Sequence, residues 1–467
     1  MKRTLALLLP LALVACQDAT ESPLAPTQDA VNIGSADLNR MSLGSSPDQV
    51  VPGEIIVKFK QGVEPAAAAR GHGLALGRMG FQDRFSVVKV ARGNERAEAA
   101  RLAASANVEY AEPNYLRQPT GCSSRQWAFY NPGGCTIIFQ NDPNGRDGQT
   151  VTSYVSTADA DEDASGSDVP AGYGSGGATV VVGSLDTGVD FGHQEFAGGQ
   201  LIAGKDWVNN DNDPSDDDGH GTHTTGTMAG STVGVAGATG AGSNVRVYVQ
   251  KVCGPSGCPT SAIVNAIYAA ADYPGLVAMN LSLGGTRESK SEKDAINYAV
   301  NSKGVLVIAS AGNDGSGRVA CPACDPNAIS VAATNWQDGL TYYSQYGSGL
   351  DISAPGGEMY SNTTEESWIY SSIPGGYAFY QGPSMAAPQV TGTAGVVASK
   401  TGLRGSGLRQ RIESTADDLG ASGYDTTFGN GRVNTYAAVT TSGGGGGGGS
   451  EPPPDTCVPK GKGNNCK

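Results

Sequence analysis

Short apolar and β-branched runs alternate with amphipathic stretches over the second half of the chain. The runs ATVVVGSLD, VRVYVQKV, LVAMNLSL, VLVIAS and AISVAAT lie between residues 178 and 334 and predict buried parallel strands. The stretches TSAIVNAIYAAADY and EKDAINYAVNSK lie between these runs and predict helices with one apolar face. Such alternation favours an α/β fold with a doubly wound parallel sheet, which we assign to residues 178–441.

An earlier segment, residues 50–118, has a separate pattern of its own. GEIIVKFK and RFSVVKV alternate like strands, PAAAARGHGLAL and NERAEAARLAASA are typical of helices, and VEYAEPNYL predicts a last strand. A small, independent α/β domain is therefore expected. Residues 119–177 are irregular and rich in Gly and Asp. At the other end, seven glycines and the run SEPPP predict a linker over 442–454, followed by a short tail over 455–467.

The chain starts with MKRTLALLLPLALVAC, in which two positive charges precede an apolar run too short to span a bilayer. This pattern predicts an export signal over residues 1–16. Its last four residues, Leu13 to Cys16, resemble a bacterial lipobox, in which the cysteine carries lipid. An ordinary secretory signal cut nearby is the alternative. Residues 17–49 are polar and predict a flexible tether. We expect an exported protein, either secreted or lipid-anchored at the cell envelope.

The charge balance narrows the choice of partners. The formal net charge is −14 and the sequence pI is about 4.7. Nucleic acids and acidic membrane surfaces need a basic face, so we expect neither as a partner. Any membrane contact would come through the N-terminal lipid.

Nine cysteines are present. With Cys16 set apart, the other eight fall into close pairs, and an exported chain favours local disulfides. Zinc is disfavoured because no histidine lies near them in sequence. The predicted pairs are Cys122/Cys135, Cys253/Cys258, Cys321/Cys324 and Cys457/Cys466.

Three stretches carry candidate chemistry. Asp186 ends an apolar strand in VVVGSLDTGVD, His220 stands between loop and helix in DDDGHGTHTTGTMAG, and Ser384 opens a predicted helix in GPSMAAPQVTG. Pro388 would fit the first turn of that helix. Taken singly, each residue has a structural explanation, and Ser384 could simply cap its helix. Together, the order Asp, His, Ser is one of the chain orders of the serine triad.

With these motifs in hand, the chain resembles the subtilisin-like serine proteases over residues 178–440. DTGVD, HGTH and SMAAP resemble the three active-site motifs, and NLSLGG, ASAGNDG and TTFGNGRVNTYAAV follow in the same order. The resemblance implies that Ser384 is the nucleophile, that His220 is first its base and then the acid, and that Asp186 orients His220. Asn313 and the backbone N–H of Ser384 would stabilise the oxyanion. His223 would be structural.

The resemblance also implies a substrate cleft for protein or peptide chains. One wall, which pairs with the substrate backbone, would consist of Ser282, Leu283 and Gly284, and the other of Ala311 and Gly312. Asp314 would lie at the rim. Small residues in the walls predict broad specificity, with a large apolar P1 side chain favoured and a basic one tolerated. We expect a monomer and no organic cofactor.

Residues 50–118 resemble the inhibitor-type propeptide of these proteases, with a ferredoxin-like α/β fold. Such a propeptide templates folding, and its C-terminal tail lies in the active site until self-cleavage. The resemblance implies a zymogen that cuts itself near Pro119 to Gly121. Residues 119–177 would then begin the mature chain.

The loop KDWVNNDNDPSDDDGHGTH holds six aspartates before His220, and hard oxygen ligands suit calcium. By resemblance to thermostable members of the family, Asp206, Asp211 and Asp213 occupy ligand positions of a structural calcium site, with Asn209 where an acid is usual. Asp351 matches a second, weaker position. A solvated acidic loop is the alternative.

Two residues depart from the family pattern. Pro383 replaces a threonine before the nucleophile, and Gln389 replaces a histidine further along the helix. The proline removes one N–H and one hydroxyl that could support the oxyanion, so we expect reduced activity at worst. The main alternative is a catalytically weak or inactive binding protein on the same fold at the cell surface, which the complete triad opposes. A surface-binding role for the C-terminal tail has little support in so short a segment.

Overall fold

A computed structural model of the protein describes residues 50–119, 137–138, 150–151, 177–196, 198–231, 233–235, 244–335, 338–358 and 368–441. The predicted signal, tether, linker and tail lie outside these residues. Within the same ranges, no helix combines the length and apolar character needed to cross a bilayer.

The front domain has the order strand, helix, strand, strand, helix, strand. Its elements are β1 (Val50–Phe59), α1 (Pro65–Gly71), β2 (Ala75–Met79), β3 (Ser86–Lys89), α2 (Glu95–Ala103) and β4 (Val108–Pro119). The strands pair antiparallel in the order β4-β1-β3-β2. The sequence prediction was wrong after Gly71, because the expected helix stops there and β2 follows as an edge strand. Gly73, at φ +75°, turns the chain where a side chain would be strained.

The two faces of this small sheet pack into two different hydrophobic cores. Ile55 and Val57 point to one face and form the domain's own core with residues such as Leu102 of α2. Ile56 lies between them in sequence, so it points to the opposite face. There it joins Phe85 in a core shared with the second domain. The front domain is thus anchored by one apolar face of its sheet.

The second domain contains the remaining described elements. After the two-stranded ribbon β5 (Ile137–Ile138) and β6 (Thr150–Val151), they are β7 (Val180–Asp186), β8 (Leu201–Asp206), α3 (His220–Ala229), β9 (Val245–Lys251), β10 (Cys258–Pro259), α4 (Thr260–Ala271), β11 (Leu276–Leu281), β12 (Leu283–Gly284), α5 (Lys290–Asn297), β13 (Leu306–Ser310), β14 (Ile329–Thr334), β15 (Ile352–Pro355), β16 (Ile369–Ile373), β17 (Gly376–Tyr380), α6 (Pro383–Thr401), α7 (Gly405–Ser414) and α8 (Thr435–Thr440).

Seven strands form a parallel sheet in the order β15-β14-β13-β11-β7-β9-β8. The five predicted strands form its centre, which confirms the doubly wound α/β fold. The edge strands β8 and β15 were not predicted, because LIAGKD and ISAP lack a long apolar run. Residues of α4 and α5 pack in the core on one face, and residues of α3 and α6 pack in the core on the other.

Disulfides join Cys253 to Cys258 and Cys321 to Cys324. These two predicted pairs are confirmed. The pairs Cys122/Cys135 and Cys457/Cys466 lie outside the described residues.

Candidate active site

Asp186 is the last residue of the central strand β7, and both oxygens of its carboxylate have hydrogen-bond partners. Oδ1 lies 2.7 Å from Nδ1 of His220 and accepts the backbone N–H of Thr187 at 2.8 Å. Oδ2 accepts the hydroxyl of Thr224 at 3.1 Å. The carboxylate is buried, so these contacts fix its orientation.

His220 is the first residue of α3. Gly219 precedes it at φ +106°, a backbone conformation that favours glycine. Burial alone would lower the pKa of His220, but the neighbouring Asp186 carboxylate outweighs burial and raises that pKa above its usual value. Its Nε2 atom is buried and makes no hydrogen bond within the described part of the chain. The ring is therefore held by Nδ1, with Nε2 pointing the other way.

Ser384 is the second residue of α6, after Pro383 at the first helical position. The cap residue is Gly382, so the capping role considered for Ser384 is wrong. A proline at the first helical position costs little, because its missing N–H would have no partner within the helix. Helices α3 and α6, which begin at the His220 and Ser384 motifs, pack against each other.

Two hydrogen bonds join Ser384 to Ser282. The Ser384 hydroxyl donates to the Ser282 carbonyl at 3.1 Å, and the Ser282 hydroxyl donates to the Ser384 carbonyl at 2.8 Å. Pro388 lies inside α6 and not in its first turn, which corrects the sequence prediction. Because Pro388 has no N–H to give to the carbonyl four residues earlier, that carbonyl is available to Ser282.

Sequence reasoning missed the residues that support this arrangement. Asn280 donates its side-chain amide to the Ser282 hydroxyl at 2.9 Å, and Thr391 lies 3.5 Å from the amide oxygen of Asn280. Thr224 was missed as well, although its spacing of four residues from His220 puts both side chains on one face of a helix. Asn280 lies two residues before Ser282 at the end of β11 and is the first residue of the NLSLGG motif, so its spacing from Ser282 was also readable in the sequence.

A cavity of about 100 Å³ lies beside the residues that follow the two predicted walls of the substrate cleft. The cavity is lined by Gly285, which follows one wall, by Asp314, which follows the other, and by Ala320. Burial raises the pKa of Asp314. Gly312 has φ +107°, and a Cβ there would lie 1.8 Å from Oε1 of Gln345. Only glycine therefore fits this wall. Asn313 follows it directly in the chain.

Strand β4 of the front domain extends into the second domain and pairs along both its edges. Leu116 and Arg117 pair antiparallel with Pro259 and Cys258. Gln118 and Pro119 pair antiparallel with Gly284 and Leu283. The described end of the front domain thus lies as an added strand between two segments of the second domain, and one of them is the predicted peptide-binding wall.

The front domain also caps two helices of the second domain. Glu112 accepts the backbone N–H groups of Lys290 and Ser291 at 2.8 and 2.9 Å, at the start of α5. Asn114 accepts the N–H of Ser261 at 2.9 Å, at the start of α4. A carboxylate at a helix N-terminus is stabilised by the helix dipole, so Glu112 strengthens the attachment of the front domain.

His223 is held apart from the proposed chemistry. Its Nε2 atom lies 3.0 and 3.2 Å from the carbonyls of Ile369 and Ala378, and its ring stacks on Tyr380. Burial lowers the pKa of His223 to about 3, so the ring is neutral at physiological pH. Gln389 also lies in the helix interior, where it donates to the Pro355 carbonyl at 2.5 Å.

The acidic loop does not form a metal cluster in the described residues. Asp206 accepts the N–H groups of Val208 and Asn209 with one oxygen and the Asn209 amide with the other. Asp211 and Asp213 each accept hydrogen bonds from residues two positions later. These carboxylates stabilise turns, and this geometry by itself does not select calcium.

Asp351, the second expected calcium ligand, is paired with an arginine in this structure. One oxygen of its carboxylate lies 2.5 Å from Nη2 of Arg409, and the other accepts both the N–H and the hydroxyl of Ser330 at 2.8 Å. These contacts hold the Asp351 carboxylate in place, and its calcium role stays a prediction.

Comparison with known proteins identifies the class of protein. The family model described as "Subtilase family" matches residues 177–431, more than half of the chain. The chain therefore belongs to the subtilase family, and it is a subtilisin-like serine peptidase. A second family model, described as "Fervidolysin N-terminal prodomain", matches residues 42–114. The front domain is accordingly an N-terminal prodomain.

Individual relatives agree with this assignment. The chain is 36% identical over 401 residues to a thermophilic serine proteinase from Bacillus sp. (strain AK1), covering 84% of this chain and 88% of the relative. It is 41% identical over 268 residues to thermitase from Thermoactinomyces vulgaris, covering 57% and 89%. The crystal structure of fervidolysin from Fervidobacterium pennivorans shares the fold, with TM-score 0.63 and 23% identity over 84% of this chain and 62% of that one.

Proposed function

We propose that the protein is an exported serine endopeptidase that hydrolyses peptide bonds through an acyl-enzyme formed on Ser384. The observation that carries this proposal is the buried pair of Asp186 and His220, whose Oδ1 and Nδ1 atoms lie 2.7 Å apart. Asp186 ends strand β7, and His220 begins helix α3, which packs against the helix that carries Ser384. Each of the three residues would act as in the serine triad.

In the first step Oγ of Ser384 attacks the carbonyl carbon of the substrate while Nε2 of His220 takes the hydroxyl proton. The raised pKa of His220 makes it a stronger base than an isolated imidazole. His220 then gives the proton to the leaving amine as the C–N bond breaks. Water repeats the sequence on the acyl-enzyme, which restores Ser384 and releases the acid. Asp186 keeps the proton on Nδ1 and stabilises the imidazolium.

The oxyanion would be stabilised by the Asn313 side chain and the N–H of Ser384, which lies at the positive end of helix α6. A substrate would pair with Ser282, Leu283 and Gly284, as β4 pairs with the last two of them. The cavity beside Gly285 and Ala320 has room for a large P1 side chain. Asp314 at its edge would tolerate a basic one.

The prodomain would act as an intramolecular inhibitor until it is cut off. In support of this, its strand β4 pairs with two residues of the predicted cleft wall, and its sheet shares a buried core with α4. A substrate cannot pair there until the prodomain leaves. Cleavage would fall near Pro119 to Gly121, after the last described residue of β4.

The proposal includes export, with the mature enzyme secreted or lipid-anchored through Cys16, and a monomeric state. These rest on the sequence alone. A structural calcium ion at Asp206, Asp211 and Asp213 has only the resemblance of the loop to support it. The alternative, an inactive binding protein, is not favoured, because the relatives described above are named proteases.

Covalent labelling tests the enzymatic proposal. The protein produced from the full chain should hydrolyse casein, and phenylmethylsulfonyl fluoride should stop it with an adduct on Ser384, detected by peptide mass mapping. Ser384→Ala should show neither hydrolysis nor adduct. Casein hydrolysis that survives in Ser384→Ala would overturn the proposal, as would a wild-type protein that is folded but inactive.

A further inference from the structure

The prodomain places a charged side chain in a pocket of the peptidase domain. Arg117 lies in β4, two residues before Pro119, and only 1% of its surface is exposed. Its Nε and Nη2 atoms lie 3.0 and 2.5 Å from the two carboxylate oxygens of Glu292. Nη2 also donates to the carbonyl of Arg287 at 2.7 Å. The contact is a two-point arginine–carboxylate pair, the geometry with the strongest selectivity for arginine.

Within the described residues, the guanidinium of Arg117 donates hydrogen bonds to acceptors of the peptidase domain, Glu292 and Arg287. Glu292 is in the first turn of α5 and is 2% exposed, and Thr260 at the start of α4 is 3.4 Å from the same carboxylate. Gly285 leaves the space for the arginine, because a Cβ there would lie 2.7 Å from Nη1 of Arg117. The pocket is therefore built by the part of the chain that remains after maturation.

Arg117 reaches this pocket as part of a strand bound in the cleft. Its backbone pairs with Cys258, whose disulfide to Cys253 closes the loop before it, and the next residue pairs with Gly284. A substrate bound along the same two edges would present the side chain at this position to the same carboxylate.

The buried carboxylate of Glu292 should favour an arginine side chain over an apolar one. Once the prodomain leaves, Glu292 loses its guanidinium partner and, among the described residues, keeps only the neutral hydroxyl of Thr260, and a carboxylate in a pocket without a cationic partner is unfavourable. An apolar substrate side chain would cover the charge without pairing it. An arginine would restore two charge-assisted hydrogen bonds.

We propose that Glu292 forms an arginine-selective subsite of the mature peptidase, the one occupied here by Arg117. The enzyme prefers peptides with arginine at that position, two residues before the residue that pairs with Leu283. This proposal rests on the proposed peptidase function and specifies its substrate class. Glu292 is a specificity-determining residue, which binds substrate away from the reacting bond.

Three internally quenched peptides test the subsite. All carry residues 115–121 of this chain, Tyr-Leu-Arg-Gln-Pro-Thr-Gly, with arginine, citrulline or leucine at the third position. Citrulline keeps the shape of arginine without its charge. Because hydrogen bonds to charged groups are the strong ones, we expect kcat/KM to be roughly ten- to a hundredfold higher for arginine than for citrulline or leucine.

Variants assign the selectivity to one residue. Glu292→Gln should lose the preference for arginine over citrulline, and Glu292→Leu should favour the leucine peptide. Glu288→Gln, an exposed glutamate paired with Lys293 in the same region, is the matched control and should keep the wild-type ratio.

The outcomes separate this proposal from the proposed function. Casein hydrolysis with an arginine-to-citrulline ratio within twofold, or with no cleavage of the arginine peptide, overturns the subsite alone. The same holds if Glu292→Gln keeps the wild-type ratio. If neither casein nor any peptide is cut, the peptidase function fails and the subsite with it. The wild-type comparison decides the question even if neither Glu292 variant folds.

Discussion

Nδ1 of His220 lies 2.7 Å from Oδ1 of Asp186, and both side chains are buried. Asp186 ends the central strand β7 and His220 begins helix α3, so a strand and a helix of the core hold the pair. The second carboxylate oxygen is held by Thr224, one helical turn after His220.

The hydroxyl of Thr224 positions Asp186, and its removal should therefore lower turnover without affecting substrate binding. We expect Thr224→Val to reduce kcat by roughly ten- to a hundredfold, the value of one hydrogen bond to a charged group, with KM unchanged. Thr224→Ser keeps the hydroxyl and should recover most of the rate. A rise in KM with unchanged kcat would show that Thr224 acts on the cleft and not on Asp186.

The activity at low pH reports the protonation of His220. Since Asp186 raises the pKa of His220 and catalysis needs its neutral form, activity should fall as pH drops through a value above 6.5. Asp218 also raises this pKa through its charge. In Asp218→Asn the imidazolium is less stabilised, so the acidic limb of kcat should move to lower pH.

The control for that experiment is Glu288→Gln, which removes an equal charge elsewhere and should leave the acidic limb in place. A limb that shifts by the same amount in both variants would mean that net charge, and not the neighbour of His220, sets the pKa.

Maturation should occur at one bond. The register pairs Gln118 with Gly284 and Pro119 with Leu283, so β4 runs toward Ser282, whose carbonyl accepts the Ser384 hydroxyl. We therefore expect cleavage between Thr120 and Gly121. N-terminal sequencing of the mature wild type should begin at Gly121.

Ser384→Ala tests whether the protein cleaves itself at this bond. The variant should remain a single unprocessed chain when it is produced alone, and a catalytic amount of wild type should be able to cut it. If the pure variant matures at the same bond, another protease is responsible.

The pair of Asp351 and Arg409 should support stability independently of calcium. Asp351→Ala leaves a half-buried guanidinium with one carboxylate partner fewer, and we expect the melting temperature to fall by about 2–8 °C. Because the partner is an arginine, the loss should be equal in calcium and in EGTA. A fall in melting temperature that is seen only in the presence of calcium would support the metal role predicted for Asp351.

The pattern of apolar runs was sufficient to predict the five central strands and the two helices between them. Buried parallel strands are apolar on both faces, so they can be recognised without knowledge of their neighbours. The edge strands β8 and β15 have one neighbour each and carry polar residues, and both were missed. The short edge strand β2 was missed for the same reason.

The sequence by itself determined the fold class, the two-domain order and the three candidate triad residues Asp186, His220 and Ser384, because local motifs and periodicity are enough to recognise them. The tertiary structure alone decided what those residues touch. Nothing in the sequence around Thr224 shows that its hydroxyl will lie beside Asp186, 38 positions earlier. Arg117 and Glu292 lie 175 positions apart, and only the pairing of β4 in the cleft joins them. Asp351 was predicted to bind calcium, and only the tertiary structure shows that its carboxylate pairs with Arg409. Contacts between distant segments depend on how sheets and helices pack, which no local pattern records.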